Sequence, residues 1–510
     1  MRYVPADYAR RAIGDLIDDP EHALFMDPGL GKTAITLSAI VELKSLFEIN
    51  RALVIAPLRV TYTTWPAEVA KWDQFRRLKT HNLHEHGLTD AKADLYLINP
   101  EGVPALFGKP MLQCKPCSGF VFKTSLPACP RCETPVVLRV GDKEKANPLL
   151  KRVWQPGYWA GWKNRPEMLI VDESTKFKSE GVRSKTLRRY TADFARRVAL
   201  TGTPAPNGVP DLFGQMMIVD RGATLGPNVT QFRKRFMTAV PTRVAGGRAV
   251  DKYVARDGAF DEISEILKPR VTALEAADWL KMPDKIVTNV SVVLDARTAE
   301  TYRKAVTEAF AVLHTGESLF AQGGAAVKLK QIANGQVYVT DPLKPGRTVT
   351  KLHEAKAEAL DDLLEQINAP TLVAYEYDCD GEMLAGRLKA PRIKGGMKMT
   401  ETTRLFERWN KGELPVLLVQ PQAAAHGLNL QAGGHHIVWY SLPWDLETVI
   451  QFNARLWRQG QASHSVFVYH IVAEDTVDRR VAAVLSDKFA DQAALISALK
   501  SEIEEGRIAA

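Results

Sequence analysis

Nine short runs of almost unbroken apolar residues set the terms for any fold of this 510-residue chain. His22–Met26, Ala52–Ala56, Leu95–Asn99, Met168–Val171 and Arg197–Leu200 form an early group. Thr371–Tyr375, Val416–Val419, His436–Tyr440 and Ser465–Val472 form a late one. Polar, Gly or Pro residues close the runs, and longer helix-like stretches separate them. A half-exposed strand would alternate apolar with polar, so continuous runs belong to parallel sheets covered on both faces. Two groups imply two doubly wound α/β lobes. The expected boundaries are 1–222 for the first lobe, 223–345 for a mainly helical insertion or linker, and 346–510 for the second lobe. Residues 110–165, with four cysteines, several prolines and Trp154, Trp159 and Trp162, interrupt the first lobe.

Composition narrows the class. Hydrophobic residues make up 45% and charged residues 25%, which excludes a disordered or fibrous chain. No apolar run reaches the roughly 18 residues of a membrane span, and the N-terminus lacks the apolar core of a secretory signal. The chain is expected to stay in the cytoplasm, or in the nucleus if its host has one. The net charge of +8 permits nucleic-acid binding without demanding it. Five cysteines are too few for a disulfide scaffold.

The run ending at Met26 leads into Asp27-Pro-Gly29-Leu30-Gly31-Lys32-Thr33 and then a helical stretch. A strand, a Gly-rich loop, Lys-Thr and a helix together make a triphosphate cradle. Backbone N–H groups face the oxygens, Lys32 reaches the β- and γ-phosphates, and the Thr33 hydroxyl ligates Mg2+. Met26 stands where the general motif has glycine. Further on, Met168-Leu-Ile-Val-Asp172-Glu173 ends an apolar strand in adjacent carboxylates, one suited to Mg2+ and one to the attacking water. Successive side chains on a strand point opposite ways, so the pair must lie where the strand ends and the backbone turns.

Five motifs occur in order: Gly29-Leu-Gly-Lys-Thr33, Asp172-Glu-Ser-Thr175, Leu200-Thr-Gly-Thr-Pro204, Gly427-Leu-Asn-Leu-Gln431 and Gln451-Phe-Asn-Ala-Arg-Leu-Trp-Arg-Gln-Gly-Gln461. Together they resemble the Swi/Snf-like DNA-dependent ATPases of helicase superfamily two, across most of the chain. Ile55-Ala-Pro57 followed by Trp65, and Val477-Asp-Arg-Arg-Val481, extend the likeness. The compact length is similar to that of phage-encoded and prokaryotic members.

The resemblance implies two RecA-like lobes with ATP and Mg2+ as cofactors. It places Gly29, Leu30, Gly31, Lys32, Thr33, Asp172, Gln451 and Gly427 at the nucleotide and metal, with Glu173 at the water. Thr201, Gly202 and Thr203 would couple nucleotide state to nucleic acid. Arg455 and Arg458 would be arginine fingers from the second lobe, sharing one helix face with Gln451 a turn earlier. Two departures stand out. Ala9 occupies the position where the family has an adenine-reading glutamine, and Thr175 replaces a histidine credited with coupling.

Cys114-Lys-Pro-Cys117 and Cys129-Pro-Arg-Cys132 are two C-x-x-C knuckles, the pattern of a tetrahedral structural Zn2+ site. Stapling a small insertion is the favoured role, with DNA contact through Lys115, Lys123 or Arg131 as the other. Cys379 reads as a core thiol. Lys176–Arg197 holds eight Lys or Arg against one Glu and one Asp. Such a stretch suits a phosphate backbone and a solvated amphipathic helix equally. Gln231–Arg235 and His435-His436 are weaker candidates.

The expected activity is an ATP-dependent translocase on double-stranded DNA. It would hold the duplex mainly by its backbone and act as a monomer away from membranes. A strand-separating DNA or RNA helicase is one alternative, although no wedge is evident. A nucleic-acid-binding scaffold with an idle ATPase is the other, opposed by the intact Glu173, Arg455 and Arg458.

Overall fold

The computed structural model describes residues 1–89, 91–118, 120–121, 128–129, 131–140, 143–243, 249–314, 319–340, 347–424 and 429–508. The chain divides into two compact units. One comprises Met1–Leu24, Thr33–Thr201 and Asp211–Pro227, the other Phe25–Lys32, Gly202–Pro210 and Asn228–Ala510.

All nine apolar runs form strands. The first sheet contains β1 (Glu21–Met26), β2 (Ala52–Ile55), β3 (Thr80–Asn82), β4 (Leu95–Ile98), β5 (Met168–Asp172), β6 (Arg196–Thr201) and β7 (Val271–Leu274). Their order is β7-β1-β6-β5-β2-β4-β3. From β6 to β3 every neighbouring pair is parallel, with Met168 level with both Arg196 and Ala52. Leu53, Ile55, Tyr96, Ile98, Leu169 and Val171 pack on one face against Phe107, Trp159, Trp162 and Phe177. Val54, Leu97 and Ile170, which alternation turns to the other face, are just as buried. Burial on both faces explains why these runs are unbroken.

The second sheet contains β8 (Asp284–Val292), β9 (Thr371–Ala374), β10 (Arg392–Ile393), β11 (Val416–Val419), β12 (His436–Trp439) and β13 (Ser465–Ala473). Its order is β8-β13-β12-β9-β11-β10, and all five pairings are parallel. Leu372, Leu417, Ile437 and Val466 face Phe406 and Trp409 of helix Met399–Asn410 and Leu446 and Val449 of helix Leu446–Asn453. Val373, Leu418, Val438 and Ile471 face Leu360 and Leu363 of helix Ala355–Ile367 and Leu384 of helix Asp378–Leu388. Two parallel α/β sheets of this kind fit a pair of RecA-like lobes.

The stretch 223–345, expected to be mainly helical, holds helices at Val229–Phe236, Ala259–Leu267, Ala296–His314 and Leu319–Asn334. It also supplies β7 and β8, an edge strand of each sheet, and a separate antiparallel ribbon, Met237–Arg243 with Ala249–Ala255. The cysteine-bearing interruption begins at strand Gly108–Cys114, which pairs antiparallel with Leu150–Pro156 on one side and Phe120–Val121 on the other. Two glycines close its neck. A Cβ on Gly157 would lie 2.4 Å from the Gly108 nitrogen, and one on Gly108 would lie 2.3 Å from the Gln155 carbonyl oxygen. Trp159 and Trp162, just beyond that neck, belong to the core of the first sheet rather than to the insertion.

Candidate nucleotide site and cysteine centre

Strand β1 ends at Met26, and helix Lys32–Ser45 begins five residues beyond Asp27. The turn between them requires left-handed backbone at Gly29 (φ 98°) and Gly31 (φ 78°), conformations that cost glycine little. Nothing lies within 4 Å of a Cβ built on either residue, so the concave side of the loop is open. Leu30 points inward and is buried, fixing the loop to the body. Lys32 Nζ donates to the Met26 carbonyl at 2.7 Å and the Asp27 carbonyl at 3.3 Å. Its ammonium is therefore held at the loop, and Thr33 follows in the first helical turn. A glycine turn of this kind leading into a helix N-terminus fits a polyphosphate.

Asp27 anchors the loop in a way the sequence did not signal. Its backbone N–H donates to the Leu274 carbonyl at 3.1 Å, and its Oδ2 accepts from the Ala276 N–H at 3.0 Å. Burial raises its carboxyl above the ordinary aspartate value.

In the first sheet β1 neighbours β6, and β6 neighbours β5. The strands that end in the Gly-rich loop, in Thr201–Thr203 and in Asp172-Glu173 are thus adjacent. Asp172 is level with Leu200 across the β5–β6 pair. Asp172 Oδ2 accepts a 3.0 Å hydrogen bond from the indole Nε1–H of fully buried Trp65, and Oδ1 accepts from the Glu173 N–H at 3.1 Å. A carboxylate fixed by two donors is suited to hold a cation in one geometry. Glu173 turns in the left-handed region (φ 53°, ψ 57°), which separates the directions of the two acidic side chains. For a residue with a Cβ this conformation costs on the order of 1 kcal/mol or more, a strain that clusters at functional sites.

Ser174 and Gln215 are joined by a buried 2.6 Å hydrogen bond, and Gln215 Nε2 donates to the Asp211 carbonyl. This glutamine, remote in sequence, fixes the turn after the acids. A Cβ on Gly202 would meet the Pro28 ring at 3.0 Å, so the Thr201–Thr203 segment lies directly against the Gly-rich loop.

The late motifs are arranged differently from expectation. Helix Leu446–Asn453, capped by the Asp445 side chain accepting from the Thr448 N–H at 3.1 Å, ends before both arginines. Tight turns follow, in which Arg455 N–H bonds Phe452 and Leu456 N–H bonds Asn453. Arg455 and Arg458 therefore do not share a helix face with Gln451, because the helix stops at Asn453. Gln451 is buried, its amide donating to Glu447 at 3.1 Å. Arg458 donates through Nη1 to Asn429 Oδ1, and burial lowers its guanidinium pKa. The Leu430 N–H donates to the Arg455 carbonyl at 3.3 Å. Asn429 and Leu430 are in turn held by Asn410 and by the Trp409 indole, which donates to the Leu430 carbonyl at 2.8 Å. Trp409 is a further residue that periodicity marks only as core. Gly427 lies outside the described residues.

Ala9, which the resemblance aligns with an adenine-reading glutamine, is buried in helix Asp7–Asp18. Tyr8 beside it is partly exposed, and burial raises its phenol pKa.

The four paired cysteines converge. Their sulphurs all lie within 4.8 Å of one another, with Cys114 and Cys132 at 3.4 Å and Cys117 and Cys129 at 3.6 Å. A tetrahedral thiolate site with metal–sulphur bonds of about 2.3 Å spaces its sulphurs by about 3.8 Å, so the set fits one metal ion. Each knuckle is followed by a left-handed residue, Ser118 (φ 55°) or Glu133 (φ 57°), the turn that aims two thiols the same way. Hydrogen bonds from Thr134 and from neighbouring thiols pull the Cys132 pKa down to about 6. Cys379 is a buried thiol whose pKa burial raises to about 11, in keeping with a core position. Lys123 lies outside the described residues.

The basic run after Asp172 is largely committed elsewhere. Arg196 and Arg197 are buried, donating to the Leu16 and Ile17 carbonyls and to the Val219 carbonyl respectively. Lys178 pairs with Asp211, Arg183 with Glu101 and Arg188 with Glu180, while Arg189 covers the Trp154 ring. Lys176 and Lys185 remain exposed. His436 is buried on β12 and stacked on Phe467 at 5.0 Å, a core role rather than a surface contact. No helix among the described residues is long and apolar enough to cross a membrane.

Comparison with known proteins places these features in a family. Residues 355–460 match the helicase conserved C-terminal domain. The putative protein p41 of Acyrthosiphon pisum secondary endosymbiont phage 1 is 32% identical over 519 residues, covering 98% of this chain and 99% of that protein. The putative ATP-dependent helicase/translocase YwqA of Bacillus subtilis is 24% identical over 63% of this chain, which spans 34% of YwqA. A solved Sulfolobus solfataricus SWI2/SNF2 ATPase core in complex with double-stranded DNA aligns over 99% of this chain and 96% of its own at 19% identity and a TM-score of 0.38. With its ordered motifs and its full-length phage relative, the chain belongs to the Swi/Snf-like proteins of helicase superfamily two and is an ATP-hydrolysing, helicase-like enzyme.

Proposed function

We propose that the enzyme is an ATP-dependent translocase on double-stranded DNA. The observation that supports this reading is the adjacency, in one sheet, of the strands ending in the Gly-rich loop, in Thr201–Thr203 and in Asp172-Glu173. Gly29, Leu30, Gly31 and Lys32 hold the triphosphate, with Thr33 and Asp172 positioned for Mg2+, Asp172 oriented by Trp65. Bound Mg2+ supplies charge neutralisation of the phosphate oxygens. Glu173 orients and deprotonates the attacking water, its left-handed backbone turning it away from Asp172. Arg455 and Arg458 offset charge that develops on the transferring phosphoryl group, in a turn steadied by Asn429 and Leu430. Gln451 and Gly427 complete the nucleotide contacts. Thr201–Thr203, packed on the loop through Gly202 and Pro28, passes nucleotide state to the duplex-binding surface. Zn2+ in the four-cysteine centre staples the insertion. The naming of YwqA as a helicase/translocase supports the same class of activity.

The test is the ATPase rate measured without polymer and with duplex DNA, single-stranded DNA and RNA. Duplex DNA gives the largest stimulation, and Lys32→Ala abolishes turnover under every condition. Stimulation by RNA alone overturns the DNA assignment.

A further inference from the structure

The ribbon Met237–Arg243 with Ala249–Ala255 belongs to neither parallel sheet. Its register is regular, Met237 opposite Ala255 through to Arg243 opposite Ala249. Phe236 and Met237 anchor its base, where the Arg256 N–H donates to the Phe236 carbonyl at 3.0 Å. Beyond that base Thr238, Ala239, Val240 and Pro241 are all exposed, as are Asp251, Tyr253 and Val254 on the other strand. Consecutive strand residues face opposite ways, so among the described residues both faces of the ribbon carry exposed side chains. A two-stranded ribbon with no covering layer is marginal in water, and exposed Val240, Tyr253 and Val254 add to the cost. Such an element makes sense with an occupant.

Charge indicates which one. Residues 233–256 hold seven Lys or Arg against one Asp. Arg233, Lys234, Arg235 and Arg256 are exposed at the base. Glu262 pairs with Arg235 and Arg256, whereas Arg233 lies over the Tyr253 ring at 4.4 Å, joining helix Val229–Phe236 to the ribbon. Pro241 removes a backbone donor from the middle of one edge, which disfavours addition of a further strand from a protein partner. Seven residues per strand make an arm of about 23 Å. The major groove of B-DNA, about 12 Å wide, admits a two-stranded ribbon.

We infer that this ribbon is a duplex-DNA arm that lies in the major groove, with Arg233 and Lys234 on the flanking phosphates. The inference rests on the translocase reading and adds a grip outside the ordered motifs.

The experiment compares the parent chain with Arg233→Ser/Lys234→Ser and with Lys234→Gln alone. It measures binding of a fluorescent duplex of about 30 base pairs across a salt series, alongside polymer-free ATPase. Loss of each phosphate contact weakens binding about fivefold near physiological salt and lowers the log–log salt slope by about one. Polymer-free ATPase stays at the parent rate, because these exposed side chains lie outside the proposed nucleotide site. Should the double variant lose that rate, Lys234→Gln must by itself show the weaker binding and shallower slope. Variants that bind duplex as the parent does at every salt overturn the arm while leaving the translocase reading intact. A parent that binds RNA but not duplex overturns both.

Discussion

At the scale of single residues, the most telling group is Glu173. Its carboxylate follows directly on Asp172, yet a left-handed backbone turns the two apart. If Glu173 is the base, Glu173→Gln retains ATP binding while kcat falls by about 10²- to 10⁴-fold, the usual worth of a positioned general base. Near-parent turnover would remove Glu173 from that role. On this reading Trp65 is a positioning residue, since its indole N–H donates to the Asp172 carboxylate. Trp65→Phe keeps most of the buried ring but deletes that hydrogen bond. The expected result is a loss of about tenfold in kcat with a raised Mg2+ requirement, consistent with about 1.5 kcal/mol for one hydrogen bond to a charged group. Magnesium titration of both proteins checks it, and equal Mg2+ dependence would reduce Trp65 to packing. The acids were legible because an apolar strand ending in Asp-Glu after a Gly-rich loop is a rare local pattern. The Trp65–Asp172 bond was not, because it joins residues 107 positions apart. Arg196 and Arg197 misled in the opposite direction, since a basic run carries no mark of which members turn inward.

At the scale of elements, strands buried on both faces announced themselves, and the edges did not. Thr80–Asn82, Asp284–Val292 and Arg392–Ile393 lie at sheet edges, where exposed side chains need not be apolar, and Asp284–Val292 is exposed along most of its length. The helix that stops at Asn453 escaped the sequence for another reason: Ala-Arg-Leu-Trp-Arg has no residue that breaks a helix, and tertiary contacts to Asn429 and Leu430 favour the turn. Among its described residues, the cysteine insertion has little core of its own, its buried cluster being Cys114, Cys129 and Val136. By the four-ligand rule it should hold about one Zn2+ per chain, measurable by elemental analysis of purified protein. Cys117→Ser should lose the metal and expose residues 108–156 to protease. A zinc-free chain that resists protease equally well would refute the staple. His436 gives β12 an acid limit. Burial lowers its pKa to about 4, below the free value of 6.5, so only the unfolded chain takes up this proton as pH falls through that window. Stability is therefore lost between about 6.5 and 4, and His436→Phe should show a smaller drop in denaturant midpoint from pH 7 to pH 5 than the parent.

At the scale of the whole molecule, the question is whether hydrolysis moves the enzyme along a duplex or opens it. Opening base pairs requires an element that stacks on or wedges between them, commonly an aromatic side chain at a hairpin tip. The ribbon of Met237–Arg243 and Ala249–Ala255 is well placed by charge to meet DNA, yet the sequence joining its strands, Val244-Ala-Gly-Gly-Arg248, has no aromatic residue. Its one aromatic, Tyr253, sits within a strand opposite Ala239, with Arg233 over one face of its ring. An arm of this kind grips a duplex and leaves it paired. The enzyme is therefore expected to displace a triplex-forming strand from duplex DNA in an ATP-dependent way, while scarcely unwinding a plain forked duplex. If the proposed grip rests on phosphate contacts, displacement should fall steeply as salt rises from about 50 to 200 mM. Both substrates can be followed by fluorescence in parallel, with Glu173→Gln as the control without turnover. Efficient unwinding of the fork without triplex displacement would show that strand separation, rather than translocation, is the work that hydrolysis performs.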